Sequence, residues 1–126
     1  MIYLNSLRTP DGTVLISQHQ HDYVEYTDAN GKVYFVDGGP AYCRSSAHGD
    51  ELFLIVDDTS PHIAIRQHLS WGTYGKSGNE PYRKILLKDM EVDHMLAIIR
   101  DGYKHVTPHL IAELKFRGLS YPELEI

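Results

Sequence analysis

The feature that most constrains this chain is a change of character near residue 88. Before it, short β-rich segments alternate with turn residues; after it come two capped apolar stripes of helical period. The β-rich part opens with Ile2-Tyr3-Leu4 and turns at Thr9-Pro10-Asp11-Gly12. Residues 13–17 and 23–26 are strand-like, and Asn30-Gly31 within 27–32 marks a hairpin, because both residues tolerate φ > 0. Residues 33–36 return as the paired strand and stop at Asp37-Gly38-Gly39-Pro40. The continuous apolar run 52–56 predicts a central strand. Over 63–70, Ile63, Ile65, Gln67 and Leu69 alternate with Ala64, Arg66, His68 and Ser70, which predicts a further two-sided strand. Ile85-Leu86-Leu87 closes this part after a Gly-rich loop over 72–81.

Two helices are expected next, near 89–101 and 107–118. Asp89 reads as the first N-cap, with Glu91 and Asp93 at the positive end of the dipole. Val92, Met95, Leu96 and Ile99 make one stripe, and Gly102 follows Arg100 as a stop. Thr107-Pro108 reads as N-cap and N1 of the second helix, whose apolar side is Leu110, Ile111 and Leu114 and whose end is Gly118. The fold class is therefore α+β: an N-terminal antiparallel sheet followed by two C-terminal helices that pack on it or on a second subunit. One domain is expected over 1–126, β-rich over 1–87 and helical over 88–126. Met90, Ile98 and Phe116 lie off the stripes, and a small sheet cannot cover them all. A homo-oligomer formed through the C-terminal helices is the expected consequence.

At 42% hydrophobic and 23% charged residues, the chain has ordinary globular composition. No apolar run approaches the ~20 residues a membrane span needs. The N-terminus carries no basic segment leading into an apolar stretch, so neither membrane nor signal peptide is expected. The lone Cys43 forms no intrachain bridge and fits a reducing cytoplasm. Beside Arg44, it reads as a structural thiol. A net charge of −5 repels nucleic acid, which is not expected as a partner.

Several motifs invite chemistry. Gly75-Lys76-Ser77 is rejected as a nucleotide-hydrolysing P-loop, because Ser70 stands where the first glycine belongs and Gly78-Asn79-Glu80-Pro81 replaces the helix. His19 and His21 share a strand face without a local third ligand, and Pro108 breaks the His105/His109 pair. No metal or other cofactor is expected. Asp57-Asp58 reads as a solvated strand end. His68-Leu69-Ser70 and His105-Val106-Thr107 resemble the paired His-x-Ser/Thr motifs of two-histidine phosphoesterases, in which one His accepts a proton and the other donates it.

The loop itself keeps a binding reading. Trp71 and Tyr74 can stack a base, Arg66 and Lys76 can meet phosphate, and Thr73 and Asn79 offer polar groups for a base edge or ribose hydroxyl. Arg117, in the last turn of the second helix, can reach a neighbouring subunit's pocket or serve the helix dipole. The same loop also reads as a plain hairpin with Trp71 anchored in the core. The nine tyrosines, against three Phe and one Trp, suit either half-buried strands or a ligand site.

The runs 21–24 (His-Asp-Tyr-Val) and 30–39 (Asn-Gly-Lys-Val-Tyr-Phe-Val-Asp-Gly-Gly) resemble a family of small proteins widespread in tailed bacteriophages. Residues 71–76 (Trp-Gly-Thr-Tyr-Gly-Lys) and 87–90 (Leu-Lys-Asp-Met) extend the similarity over most of the chain. Within it, the sheet-then-two-helices order looks like the first-described phage Thoeris anti-defence sponges. That resemblance implies a non-catalytic protein in the host cytoplasm that sequesters cyclic ADP-ribose signals, with ligand pockets at interfaces between subunits interlocked by their C-terminal helices. It also implies separate sites for cyclic oligonucleotide signals in some members. The expected function is thus capture of a small anionic nucleotide without turnover. The alternatives are a two-histidine phosphoesterase and an inhibitor that binds a host protein directly.

Overall fold

Strand β1 (Ile2–Arg8) carries three consecutive buried residues, Asn5, Ser6 and Leu7, because it is paired along both edges. The computed structural model describes residues 1–121. On one side β1 pairs antiparallel with β2 (Val14–Ser17), across a turn in which Gly12 N donates to Thr9 O at 2.9 Å and Thr13 N to Asp11 Oδ1 at 3.0 Å. On the other it pairs with β6 (Leu52–Phe53) and β7 (Val56–Asp57). β3 (Val24–Thr27) and β4 (Val33–Asp37) form the hairpin that Asn30-Gly31 signals. Asp28 Oδ1 closes it by accepting from Asn30 N at 2.9 Å and Lys32 N at 2.8 Å. A short helix α1 (Gly39–Tyr42) and strand β5 (Arg44–Ser45) follow, β5 pairing with β4. Leu7, Leu15, Tyr34 and Val36 form one core cluster among these strands, with Val24 and Tyr26 against it. Each such side chain contributes about 1.5–3 kcal/mol by leaving water.

The run 52–56 is not the central strand expected. It forms two two-residue pieces at the sheet edge, interrupted where Leu54 N donates to Ser6 O at 2.9 Å and Ser6 Oγ returns to Leu54 O at 3.0 Å. Leu52 and Phe53 are consequently exposed and only Val56 is buried.

The chain divides into two compact units, Met1–Ser60 and Pro61–Ile126, so the boundary precedes the change of character near residue 88. The second unit corrects another expectation: residues 62–68 are helical, not a strand. Helix α2 (His62–His68) buries Ile65 and leaves Ile63 53% exposed. Ile65 and the buried Leu69 are four apart, a spacing that satisfies a helix as well as an alternating strand, and Leu69 N donates to Ile65 O at 2.8 Å. Strands β8 (Ser70–Thr73) and β9 (Arg83–Leu86) then form an antiparallel hairpin.

A 3₁₀ turn (Leu87–Asp89) leads into α3 (Val92–Arg100), so Glu91, not Asp89, is the N-cap. The turn is pinned by Leu87 and Met90, both fully buried. Helix α4 (Thr107–Phe116) starts one residue earlier in its cap than expected, at Val106, with Pro108 in its first turn. It packs on α2 and α3. Met90 and Ile98, expected to project toward another subunit, are buried at 1% and 3% exposure; Phe116 alone of the three is exposed. No helix among the described residues is long and apolar enough to cross a membrane.

Candidate functional site

The β8–β9 register decides which loop residues can act together. Thr73 stands opposite Arg83 and Trp71 opposite Ile85, so these four share one hairpin face. Gly72 and Lys84 share the other. Tyr82 lies across Gly72: a Cβ there would come within 2.4 Å of its hydroxyl, so the ring's position requires glycine. The loop is drawn in by Gly75 N to Thr73 Oγ1 at 3.1 Å and Glu80 N to Tyr74 O at 2.8 Å. Gly75 adopts φ +85°, with the Glu80 carboxylate where a Cβ would project.

On the Thr73 face the hairpin, the 3₁₀ turn and α3 enclose an open cleft of about 640 Å³. Thr73, Gly75, Lys76, Glu80, Arg83 and Ile85 line it from the hairpin; Asp89, Glu91, Asp93, His94 and Ala97 line it from the turn and helix. Lys76 Nζ approaches Glu91 Oε2 at 3.7 Å, with the two side chains 85% and 70% exposed, a pair too solvated to hold either group firmly. Arg83 makes no ion pair or side-chain hydrogen bond among the described residues. Arg83 was not among the residues singled out by sequence. The signal that finds it is hairpin register: pairing 70–73 with 83–86 sets it beside Thr73.

Of the residues chosen from sequence, the structure brings Thr73 and Lys76 into this cleft. Trp71 is half-buried, edge-on to Tyr103 with centroids 4.9 Å apart. Tyr74 does not line the cleft; it sits 5.3 Å from Tyr82, and both rings are more than half exposed. Asn79 is exposed in the loop, also outside the lining.

Arg66 and Arg117 belong to a different structure. Arg66 does not leave a strand beside the loop; it lies on α2 and grips Glu113 of α4, Nε to Oε1 at 2.9 Å and a terminal nitrogen to Oε2 at 3.0 Å. Its guanidinium also lies 4.3 Å from the Phe116 ring centroid. Arg117 Nε donates to Glu113 Oε2 at 2.8 Å, and its terminal nitrogen donates to Leu87 O at 3.0 Å. His62 Nε2 completes the set at 2.9 Å from Oε1. Glu113 is fully buried. Burial alone would raise its pKa, but the hydrogen bonds from Arg66, Arg117 and His62 outweigh it and hold the carboxyl at about 2. Both arginines are thus committed to an internal carboxylate, and phosphate would have to displace it.

The paired histidine motifs fare differently from each other. Burial, with Lys88 nearby, lowers the pKa of His68, whereas His105 is exposed. The Thr107 hydroxyl donates to Tyr103 O at 3.0 Å, an exposed bond one helical turn back. In the first unit His19 and His21 are exposed, and no group of three or more His, Cys, Asp or Glu among the described residues is arranged to hold a metal ion. Cys43 caps α1 at φ 45°, its thiol pKa pushed up by burial. No protein-family model, curated protein or solved structure matches the chain.

Proposed function

We propose that this protein captures a small nucleotide-derived signal and holds it without degrading it, as the phage anti-defence sponges it resembles are expected to do in the host cytoplasm. The observation that carries the reading is the hairpin cleft. Its volume of about 640 Å³ lies in the range of small-molecule sites, and it presents Lys76 and Arg83 with no firm internal partner. Cations held in that state are available to phosphate oxygens, the Thr73 hydroxyl adds a polar contact, and the His94 ring offers a flat face. Arg83 takes the role for which sequence favoured Arg66.

Homo-oligomerisation belongs to the same proposal. Ile63 on α2 and Phe116 on α4 are 53% and 52% exposed on helices that pack together, which supports an interface through this helical face. Sedimentation at micromolar concentration should give a species larger than 14.4 kDa; a 14.4 kDa species alone would remove this part.

The functional test is incubation with cyclic ADP-ribose isomers, ADP-ribose and cyclic dinucleotides, followed by analysis before and after heat denaturation. Recovery of intact bound ligand supports the proposal. Turnover dependent on His68 and His105 would favour a phosphoesterase, and binding of none of the panel would overturn nucleotide capture.

A further inference from the structure

The cleft carries charge of both signs, and the signs come from different elements. Lys76 and Arg83 stand on the hairpin, while Asp89, Glu91 and Asp93 stand on the 3₁₀ turn and the start of α3. Glu80 adds one carboxylate from the loop. Lys76 and Glu91 are the one loosely paired couple, at 3.7 Å. Arg83 and Asp93 make no ion pair or side-chain hydrogen bond among the described residues, and Asp89 makes none either, although its charge reaches Arg66, whose own hydrogen bonds go to Glu113. Helix-dipole stabilisation accounts for Asp93 in the first turn of α3, but Asp89 precedes the helix, and Glu91 makes no side-chain capping bond. A purely anionic ligand on Lys76 and Arg83 would face repulsion from the opposite wall. A ligand that carries a positive charge beside its phosphate satisfies both walls.

We propose that the ligand of this cleft is dipolar: a nucleotide whose phosphate meets Lys76 and Arg83 while a cationic ring or amine faces Asp89 and Asp93. The inference rests on the reading of the cleft as a nucleotide site and deepens it. It excludes ordinary nucleoside phosphates as preferred ligands and favours those with a quaternised base.

The probes are NAD⁺ and NADH, which share both phosphates and differ in the charge of one ring. Calorimetric titration should show NAD⁺ binding about fivefold or more tightly than NADH. The variant Asp89→Asn/Asp93→Asn should reduce that preference to near unity. Asp101→Asn, an exposed acid outside the cleft, should leave it unchanged and so account for the general effect of net charge. Far-UV circular dichroism checks that the variants remain folded. Equal affinity for the two dinucleotides, or no binding of either, would overturn the dipolar assignment. The nucleotide reading falls separately, when the whole panel of the preceding experiment fails to bind.

Discussion

Around Glu113, each charge meets a partner at 2.8–3.0 Å and the carboxylate is sealed from solvent. Along the hairpin cleft, Lys76 meets its nearest acid at 3.7 Å in water and Arg83 meets none among the described residues. The two places lie in the same unit and use the same residue types, so composition does not separate them. What separates them is commitment. Arg66 and Arg117 brace α2 and α4 through one shared carboxylate, and a buried cluster of this kind is expensive to break. Cations in the cleft are solvated, contribute little to stability, and remain free to exchange water for a ligand.

The comparison is broken most severely by Glu113→Ala, which removes the shared partner of two half-buried arginines, 17% and 23% exposed. Urea denaturation should show a loss of about 3–5 kcal/mol; a loss below 1 kcal/mol would mean the cluster is not structural. Acid should produce a graded version of the same effect. Because the folded pKa of Glu113 is depressed to about 2, its stabilisation is fully present above the unfolded value near 4.5 and disappears as pH falls through 2. The loss is on the order of 3 kcal/mol across that window, and Glu113→Gln should lack the step. For the cleft, Lys76→Ala and Arg83→Ala should each weaken nucleotide binding by about 1.5 kcal/mol, measured by calorimetry, with thermal midpoints unchanged. Glu91→Gln should be the mildest change, shifting stability by less than about 0.5 kcal/mol. A larger destabilisation would show that the Lys76–Glu91 pair is structural after all.

Local signals were legible wherever one residue type dictates backbone geometry. Asn30-Gly31 marks its hairpin, and Pro108 marks the first turn of α4. Segments whose pattern serves two periods were not. Ile65 and Leu69 fit a strand by alternation and a helix by their spacing of four, and the exposed Ile63 settles the matter only once the fold is known. Depth was equally hidden: residues 52–56 have the composition of a central strand, yet their pairing with β1 is broken at Ser6 and places them at an edge. At the site, Thr73 and Lys76 were legible through the loop they occupy. Arg83 required the register of β8 and β9. Arg66 was not legible, because the alternating pattern of 63–70 hides the helix α2 that carries it away from the loop to Glu113. Glu113 did leave a trace in sequence, as a charge four residues before Arg117 on the stripe of Leu110 and Leu114, where an unpartnered carboxylate would be costly.

Calorimetric titration of cyclic ADP-ribose into the wild-type protein, the Lys76→Ala/Arg83→Ala variant and the Arg117→Met variant tests the division between committed and available cations most directly. Binding should be lost in the cleft variant with its fold intact, and retained in Arg117→Met at a temperature where that less stable variant remains folded. Undiminished affinity in the cleft variant, or loss of binding confined to a folded Arg117→Met, would contradict the assignment of the cleft as the ligand site.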